Sequence, residues 1–356
     1  MNGTLHERPG VYSSYDASSV ISRGSARKVV GVVAHAAKGT VGAVKTLYSY
    51  SEGIEAFGED AAGKPGMSTM LRLLFAGGAG TVAAVAAGVG DGQADYAAAF
   101  EALALEEDVA VIVTDSGELT VQQALRDHVE HCAANRRERI AIVGSSGETA
   151  QQLVTRAAGL NSERVILVGG DVLGEKGTAL AGCFGAAAVA AAIAVNRDPA
   201  VPLNGAALAG LTGVKQQYEE TEIDALVRGG VTPLESTAGR VSPVRSVTTR
   251  TKTGGVADST WRELGTVLIV DEVIPAIRSA LRKRFARAKN TAQTRGAIRS
   301  ATIVELEQRV AEEIIDGYGE VLVSMAEDDP TTCVVEFSFT VAHGLNRIYL
   351  TAHITV

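Results

Sequence analysis

Val109-Ala110-Val111-Ile112-Val113, Ile140-Ala141-Ile142-Val143 and Val165-Ile166-Leu167-Val168 are three unbroken apolar runs. A strand with one wet face would alternate, so continuous runs predict strands buried on both faces. The stretches between them, 121–135 and 149–158, carry helical patterns. Strand–helix–strand alternation predicts a mostly parallel central sheet with right-handed crossovers, flanked by helices. Upstream, Val29, Val30, Val32 and Val33 predict a further strand, followed by a strand over 44–50, a short helix over 52–57, a helix over 67–75 and an extended stretch over 81–87. The uncharged run from Gly177 to Asn196 is as long as a membrane span. It consists mostly of Ala and Gly, which gain little in lipid, and Asn196-Arg197-Asp198-Pro199 closes it. A helix buried on one face of the sheet is therefore expected. The fold class is α/β, α+β over the whole chain.

Downstream, 201–239 is punctuated by Pro and Gly, and 244–252 alternates Val and Thr with basic residues. Trp261 is expected to begin a long amphipathic helix through Val267, Ile274, Ile277, Leu281 and Phe285, which Pro275 must kink or divide. A second helix is expected over 303–315, and Val321-Leu322-Val323 starts a closing sheet. In it Val335, Phe337, Phe339 and Val341 alternate with Glu336, Ser338 and Thr340, the period of a half-buried strand. His343-Gly344-Leu345-Asn346 reads as a short connection, after which Ile348, Leu350, Ala352, Ile354 and Val356 resume the alternation as the second arm of a hairpin. Such a terminal strand either pairs within its own domain or is offered to a neighbouring copy. Residues 1–24 lack a helical pattern and read as an extended arm. Three segments are therefore expected: an arm over 1–24, an α/β domain, and, past a boundary near Arg240, a C-terminal α+β domain ending in the hairpin.

The net charge of −8 and sequence pI near 5.4 argue against a general nucleic-acid binder. Met1 to Gly10 is polar, without the apolar core of a secretory signal. Cys132, Cys183 and Cys333 are too few and too scattered for a disulfide framework, which fits a reducing compartment.

Gly144-Ser145-Ser146-Gly147-Glu148-Thr149 lies between a strand and a helix, where a phosphate loop would lie. It lacks the Lys and the spacing of a P-loop, and it is not G-x-S-x-G, so an ordinary turn is expected. Gly169-Gly170-Asp171 reads the same way. His128, His131 and Cys132 share a helix face and are plausible zinc donors by type, but no fourth ligand is near in sequence. Asp328-Asp329-Pro330 reads as a solvated turn. No catalytic set emerges, and no cofactor is expected. The rival reading is a cytosolic α/β enzyme that binds a nucleotide at the 144–147 turn.

One electrostatic feature stands out. Between Glu272 and Glu305 there is no acid, but eight bases: Arg278, Arg282, Lys283, Arg284, Arg287, Lys289, Arg295 and Arg299. Helical spacing sets Arg278, Arg282 and Lys289 along one edge of the apolar stripe, while Lys283 and Arg287 face away. A one-sign field of this kind points to an anionic partner.

In order along the chain, Arg8-Pro9-Gly10-Val11-Tyr12, the run from Ala186 through Asn196-Arg197-Asp198-Pro199 to Pro202-Leu203-Asn204-Gly205, Gly229-Gly230-Val231-Thr232-Pro233-Leu234, Val247 to Thr251 with Trp261-Arg262-Glu263-Leu264 and Asp271, and the terminal hairpin resemble the sheath proteins of contractile phage tails and tail-like particles. None of these motifs is specific alone; their order is. The resemblance implies a non-enzymatic structural subunit that stacks as six-fold rings around a tail tube and shortens on triggering. It implies that an N-terminal arm with Pro9, Gly10, Val11 and Tyr12 and a C-terminal strand with Ile348, Leu350, Ile354 and Val356 join sheets of neighbouring subunits. The resemblance places the C-terminal α+β domain, 244–356, with the N-terminal arm inside, against the tube, and the α/β domain, 25–243, outside. Arg278, Arg282, Lys283, Arg284, Arg287 and Lys289 would then face the tube. Further implied partners are other copies of the chain, baseplate and tail-terminator proteins, with no nucleic acid and no membrane insertion. Assembly is expected in the host bacterial cytoplasm, and at this length a compact form without exterior domains.

Overall fold

The computed structural model describes residues 28–347, 350 and 351. Six strands open the chain: β1 (Val29–Ala34), β2 (Val44–Leu47), β3 (Val82–Ala86), β4 (Val109–Thr114), β5 (Ile140–Gly144) and β6 (Val165–Gly169). Two-residue strands β7 (Val172–Leu173), β8 (Ala179–Leu180) and β9 (Gly213–Val214) form a small side sheet. Then come β10 (Val231–Thr237) and β11 (Arg240–Pro243). The main sheet has eight strands in the order β11-β10-β6-β5-β4-β1-β3-β2. Its inner strands are parallel; β2 and β11, at the two edges, are antiparallel to their neighbours.

The apolar runs are continuous because alternate residues serve two cores. Val111, Val113, Ile140, Ile142, Ile166 and Val168 face one core; Ile112, Ala141, Val143, Val165 and Leu167 face the other. On the first face lie α1 (Tyr50–Phe57), α2 (Met67–Ala76) and α6 (Gly182–Val195); on the second lie α3 (Gln93–Ala104), α4 (Leu119–Ala134), α5 (Ala150–Leu160) and α7 (Glu220–Arg228). The Ala-rich helix is thus a core element. Its small side chains bring it close to the sheet, so a Cβ added at Gly185 would meet Val172 at 3.1 Å and Leu234 at 3.3 Å.

Several sequence expectations shift. The strand expected over 44–50 ends at Leu47, because Ser49 caps α1 through the Glu52 N–H. The Pro- and Gly-rich region contributes α7 and a full sheet strand, β10, beside β6. Residues 244–251 form an extended strap tied largely by hydroxyls: Thr232 Oγ1 bonds both Val247 N and O, and Thr249 Oγ1 bonds both Ser162 N and O. A small hairpin follows, β12 (Lys252–Thr253) with β13 (Val256–Ala257).

The long helix α8 (Leu264–Phe285) starts three residues after Trp261 and runs through Pro275 undivided. Its first turns, with Leu264, Val267 and Leu268, belong to the first core of the sheet; Ile269, Val273 and Ile277 belong to a third, C-terminal core. The partner helix α9 (Ala292–Ala311) begins eleven residues earlier than expected, capped by Thr291, and Ile315 is already strand. The remaining strands are β14 (Ile315–Tyr318), β15 (Leu322–Met325), β16 (Cys333–Glu336) and β17 (Phe339–Val341). Their registers make one antiparallel ribbon, from Ile315 opposite Val341 to Met325 opposite Cys333. The single strand expected over 335–341 breaks at Phe337-Ser338, opposite Gly319, yet Val335, Phe337, Phe339 and Val341 all face the third core.

Candidate assembly surface

The ribbon packs one face on α8 and α9 and leaves the rest open. Leu322, Met325 and Val334 are exposed, and among the described residues neither outer edge pairs with a third strand. Most of the second arm expected after Val341, residues 348, 349 and 352–356, lies outside the described residues; β17 pairs with β14, residues 342–347 carry no strand, and Leu350 is 90 % exposed. Pro9, Gly10, Val11, Tyr12, Ile348, Ile354 and Val356 lie outside the described residues.

Beside the ribbon, the basic segment divides in two. Arg278 turns back onto the α/β domain, donating to Glu138 at 2.7 and 3.3 Å. One helical repeat earlier on the same face, Asp271 accepts two bonds from Arg164 at 2.9 and 3.0 Å. Burial pushes the Asp271 carboxyl up, against the pull of Arg164. Lys28, at the entry to β1, is half-buried beside Asp271 and Glu272, and desolvation lowers its pKa. These groups form a charged seam along which α8 lies on the leading ends of β1, β5 and β6. Arg282, Lys283, Arg284, Arg287 and Lys289, by contrast, are exposed and make no ion pair among the described residues. Arg295 bonds Asn290, and Arg299 donates to the Val321 carbonyl, so both brace the C-terminal fold.

The glycine turn at 144–149 has a packing explanation. A Cβ on Gly144 would lie 2.3 Å from the Gly182 backbone, because the start of α6 crosses the end of β5 there. Glu148 stands directly before the Thr149 cap of α5, held by Ser145 at 2.9 Å and by Arg156 at 2.6 Å. The Arg156 bonds hold its carboxyl below the usual range. A phosphate entering this turn would meet a fixed negative charge. At the other candidates, Asp171 is paired with Lys215, and Asp329 caps its own turn through Thr331. His128 lies 3.7 Å from Cys132, whereas His131 bonds Asn135, and burial pushes His128 down to about 4. Among the described residues no cluster of three metal-ligating side chains forms.

A further cluster, which the sequence reading missed, lies at the ends of β1 and β4, where the direction of strand succession reverses. His35 Nδ1 meets Asp115 Oδ2 at 2.9 Å, and the Tyr96 hydroxyl donates to Asp115 Oδ1 at 2.8 Å. His35 Nε2 meets the Gly90 carbonyl at 3.2 Å. The Asp115 bond raises the imidazole pKa to about 9. With its polar atoms matched, the cluster ties the 88–92 loop to the sheet. Only the residue types could have hinted at it, since His35 and Asp115 are 80 positions apart and Tyr96 is 61 from His35.

Two family models match the chain in order. Residues 90–249 match the phage tail sheath protein central domain, and residues 256–355 the phage tail sheath C-terminal domain. A tail sheath protein of Bacillus phage SP01 is 28 % identical over 254 residues, 69 % of this chain and 43 % of that protein. The chain thus spans less than half the length of this relative. Among solved structures, a sheath tail protein of Desulfitobacterium hafniense superposes with TM-score 0.74 at 12 % identity, covering 98 % of this chain and 100 % of that one. The sheath of an extracellular contractile injection system in its contracted state superposes with TM-score 0.74 at 15 % identity, covering 99 % of each chain. At such identities the superpositions speak for the fold alone, whereas the two family models between them take in most of the sequence. The chain belongs to the phage tail sheath protein family, whose members are structural subunits of contractile tails.

Proposed function

We propose that this chain polymerises as stacked six-fold rings around a tail tube and shortens to drive the tube through a target cell envelope. The observation that carries the reading is the closing ribbon. Two strands alone are marginal in water, and edges unpaired among the described residues, with exposed Leu322, Met325 and Val334, call for further strands. Pro9 to Tyr12 of one neighbour and Ile348, Leu350, Ile354 and Val356 of another would supply them by β-augmentation. Each added hydrogen bond contributes only about 1 kcal/mol, so cohesion comes from many bonds around each ring.

In this reading 1–24 is the linking arm, 25–243 the outer domain and 244–356 the inner domain, consistent with the main sheet ending at Pro243. The unpaired bases Arg282, Lys283, Arg284, Arg287 and Lys289 suit an acidic tube surface, while Arg278 braces the subunit. Baseplate and terminator proteins would cap the polymer, which assembles in the host cytoplasm as part of a virion tail or tail-like particle. Negative-stain microscopy of the concentrated protein tests this: rings or tubes are expected, and a strictly monomeric protein at high concentration would contradict it.

A further inference from the structure

Among the described residues, the ribbon's last backbone bond is Ala342 N–H to the Ile314 carbonyl, at 3.3 Å. The chain then crosses to the loop after α6. A Cβ added at Gly344 would lie 2.9 to 3.0 Å from three ring carbons of Pro202, so only glycine fits against that ring. Two residues on, Asn204 Nδ2 donates to Asn346 Oδ1 at 2.7 Å, while Asn204 Oδ1 accepts from Ser246 N at 3.3 Å.

The receiving loop is stiff. Asn196 Nδ2 donates to the Val201 carbonyl at 3.0 Å, Asp198 accepts from Ala200 N at 2.9 Å, and Gly205 N bonds the Pro243 carbonyl at 2.9 Å. It also joins two cores, since Leu203 is buried in the first and Ala200 packs on the third. Four residues past Asn346, the large apolar side chain of Leu350 stands 90 % exposed.

We propose that Gly344 and Asn204 are positioning residues that aim the C-terminal segment out of its own subunit. The inference rests on the linking role proposed above. Pinned at 344 and 346, the segment leaves in one direction, so less ordering entropy is lost when it docks on a neighbour. Because the pin is on the α/β side of the subunit, the position of that domain sets the direction in which a strand from the inner domain departs.

The test compares full-length wild type, Gly344→Ala, Asn204→Ala and the double variant Gly344→Ala/Pro202→Gly, which removes the opposing ring. Trypsin cleavage after Arg347 in the monomer reports the pin, because a held segment resists a protease. Tube length by microscopy reports the aim. Gly344→Ala should keep the wild-type circular dichroism, cleave about tenfold faster and give markedly shorter tubes. Asn204→Ala, which adds no bulk, should move both readouts the same way, and the double variant should restore both. Unchanged tube length in Gly344→Ala and Asn204→Ala, or failure of the double variant to restore it, overturns the proposal. Deleting 348–356 separates the two ideas: long tubes after that deletion would remove the linking role itself.

Discussion

Arg164, at the entry to β6, and Asp271, in the second turn of α8, grip each other through two parallel hydrogen bonds of 2.9 and 3.0 Å, each side chain only 15 % exposed. They lie 107 residues apart in the chain and fix the helix shared by two cores onto the sheet. Losing one partner strands the other in a poorly hydrated place.

Asp271→Ala should therefore lower the unfolding free energy by about 3 kcal/mol, read from urea denaturation. The double variant Arg164→Met/Asp271→Leu should recover most of that loss, because it leaves no unpaired charge. A double variant as unstable as Asp271→Ala would mean that the pair holds α8 by more than charge matching.

Stability should fall as pH rises past neutrality. His35 has a folded pKa raised to about 9 by Asp115, above the ordinary imidazole value of 6.5. Its contribution is complete below pH 6.5 and lost as pH climbs through about 9. Discounted for its partial exposure, this amounts to about 1–2 kcal/mol. His35→Gln should flatten the thermal midpoint between those pH values; an unchanged slope would remove the His35–Asp115 pair from the account.

Gly144→Ala should destabilise the α/β domain by at least about 2 kcal/mol, since the new methyl meets Gly182 backbone that cannot swing aside. Equilibrium dialysis of the wild type against ATP should show no retention at the 144–149 turn. Tight binding that Gly144→Ala abolishes would revive the nucleotide reading.

Removing 1–19, or 347–356, should leave the α/β domain folded and abolish long polymers, with some aggregation from the newly bare ribbon edge. Size-exclusion chromatography and microscopy together read both effects. Regular long tubes from either truncated protein would cancel the linking role of that arm.

Reversing Lys283 and Arg287 to Glu should weaken loading of sheath onto tube while sparing contacts between sheath subunits, so more sheath forms empty. Exposed ion pairs give about 0–1 kcal/mol each and are screened by salt, so wild-type loading should fall steeply with ionic strength. Identical salt curves for the double variant and the wild type would rule out these two residues as the tube contact.

What the residues determined alone was the chemistry that repeats. Runs such as Ile140 to Val143 must be buried on both sides, and the Ala-rich stretch before Asn196 can pack closely only against something flat. The alternation of Val335, Phe337, Phe339 and Val341 likewise fixed which side of the ribbon meets a core, although the pairing shifts midway. Local patterns could not reveal α3 or β10, whose signals are Ala-rich or interrupted by Pro. Helical spacing set Arg278 on the edge of the apolar stripe and Lys283 away from it, but only the fold brings Glu138 to Arg278. The same holds for Gly144, whose reason is Gly182, and for Gly344, whose reason is Pro202. Periodicity is written along the chain because it is a local demand of burial; a glycine's necessity and a charge's partner depend on which distant atom arrives, and tertiary packing alone decides that.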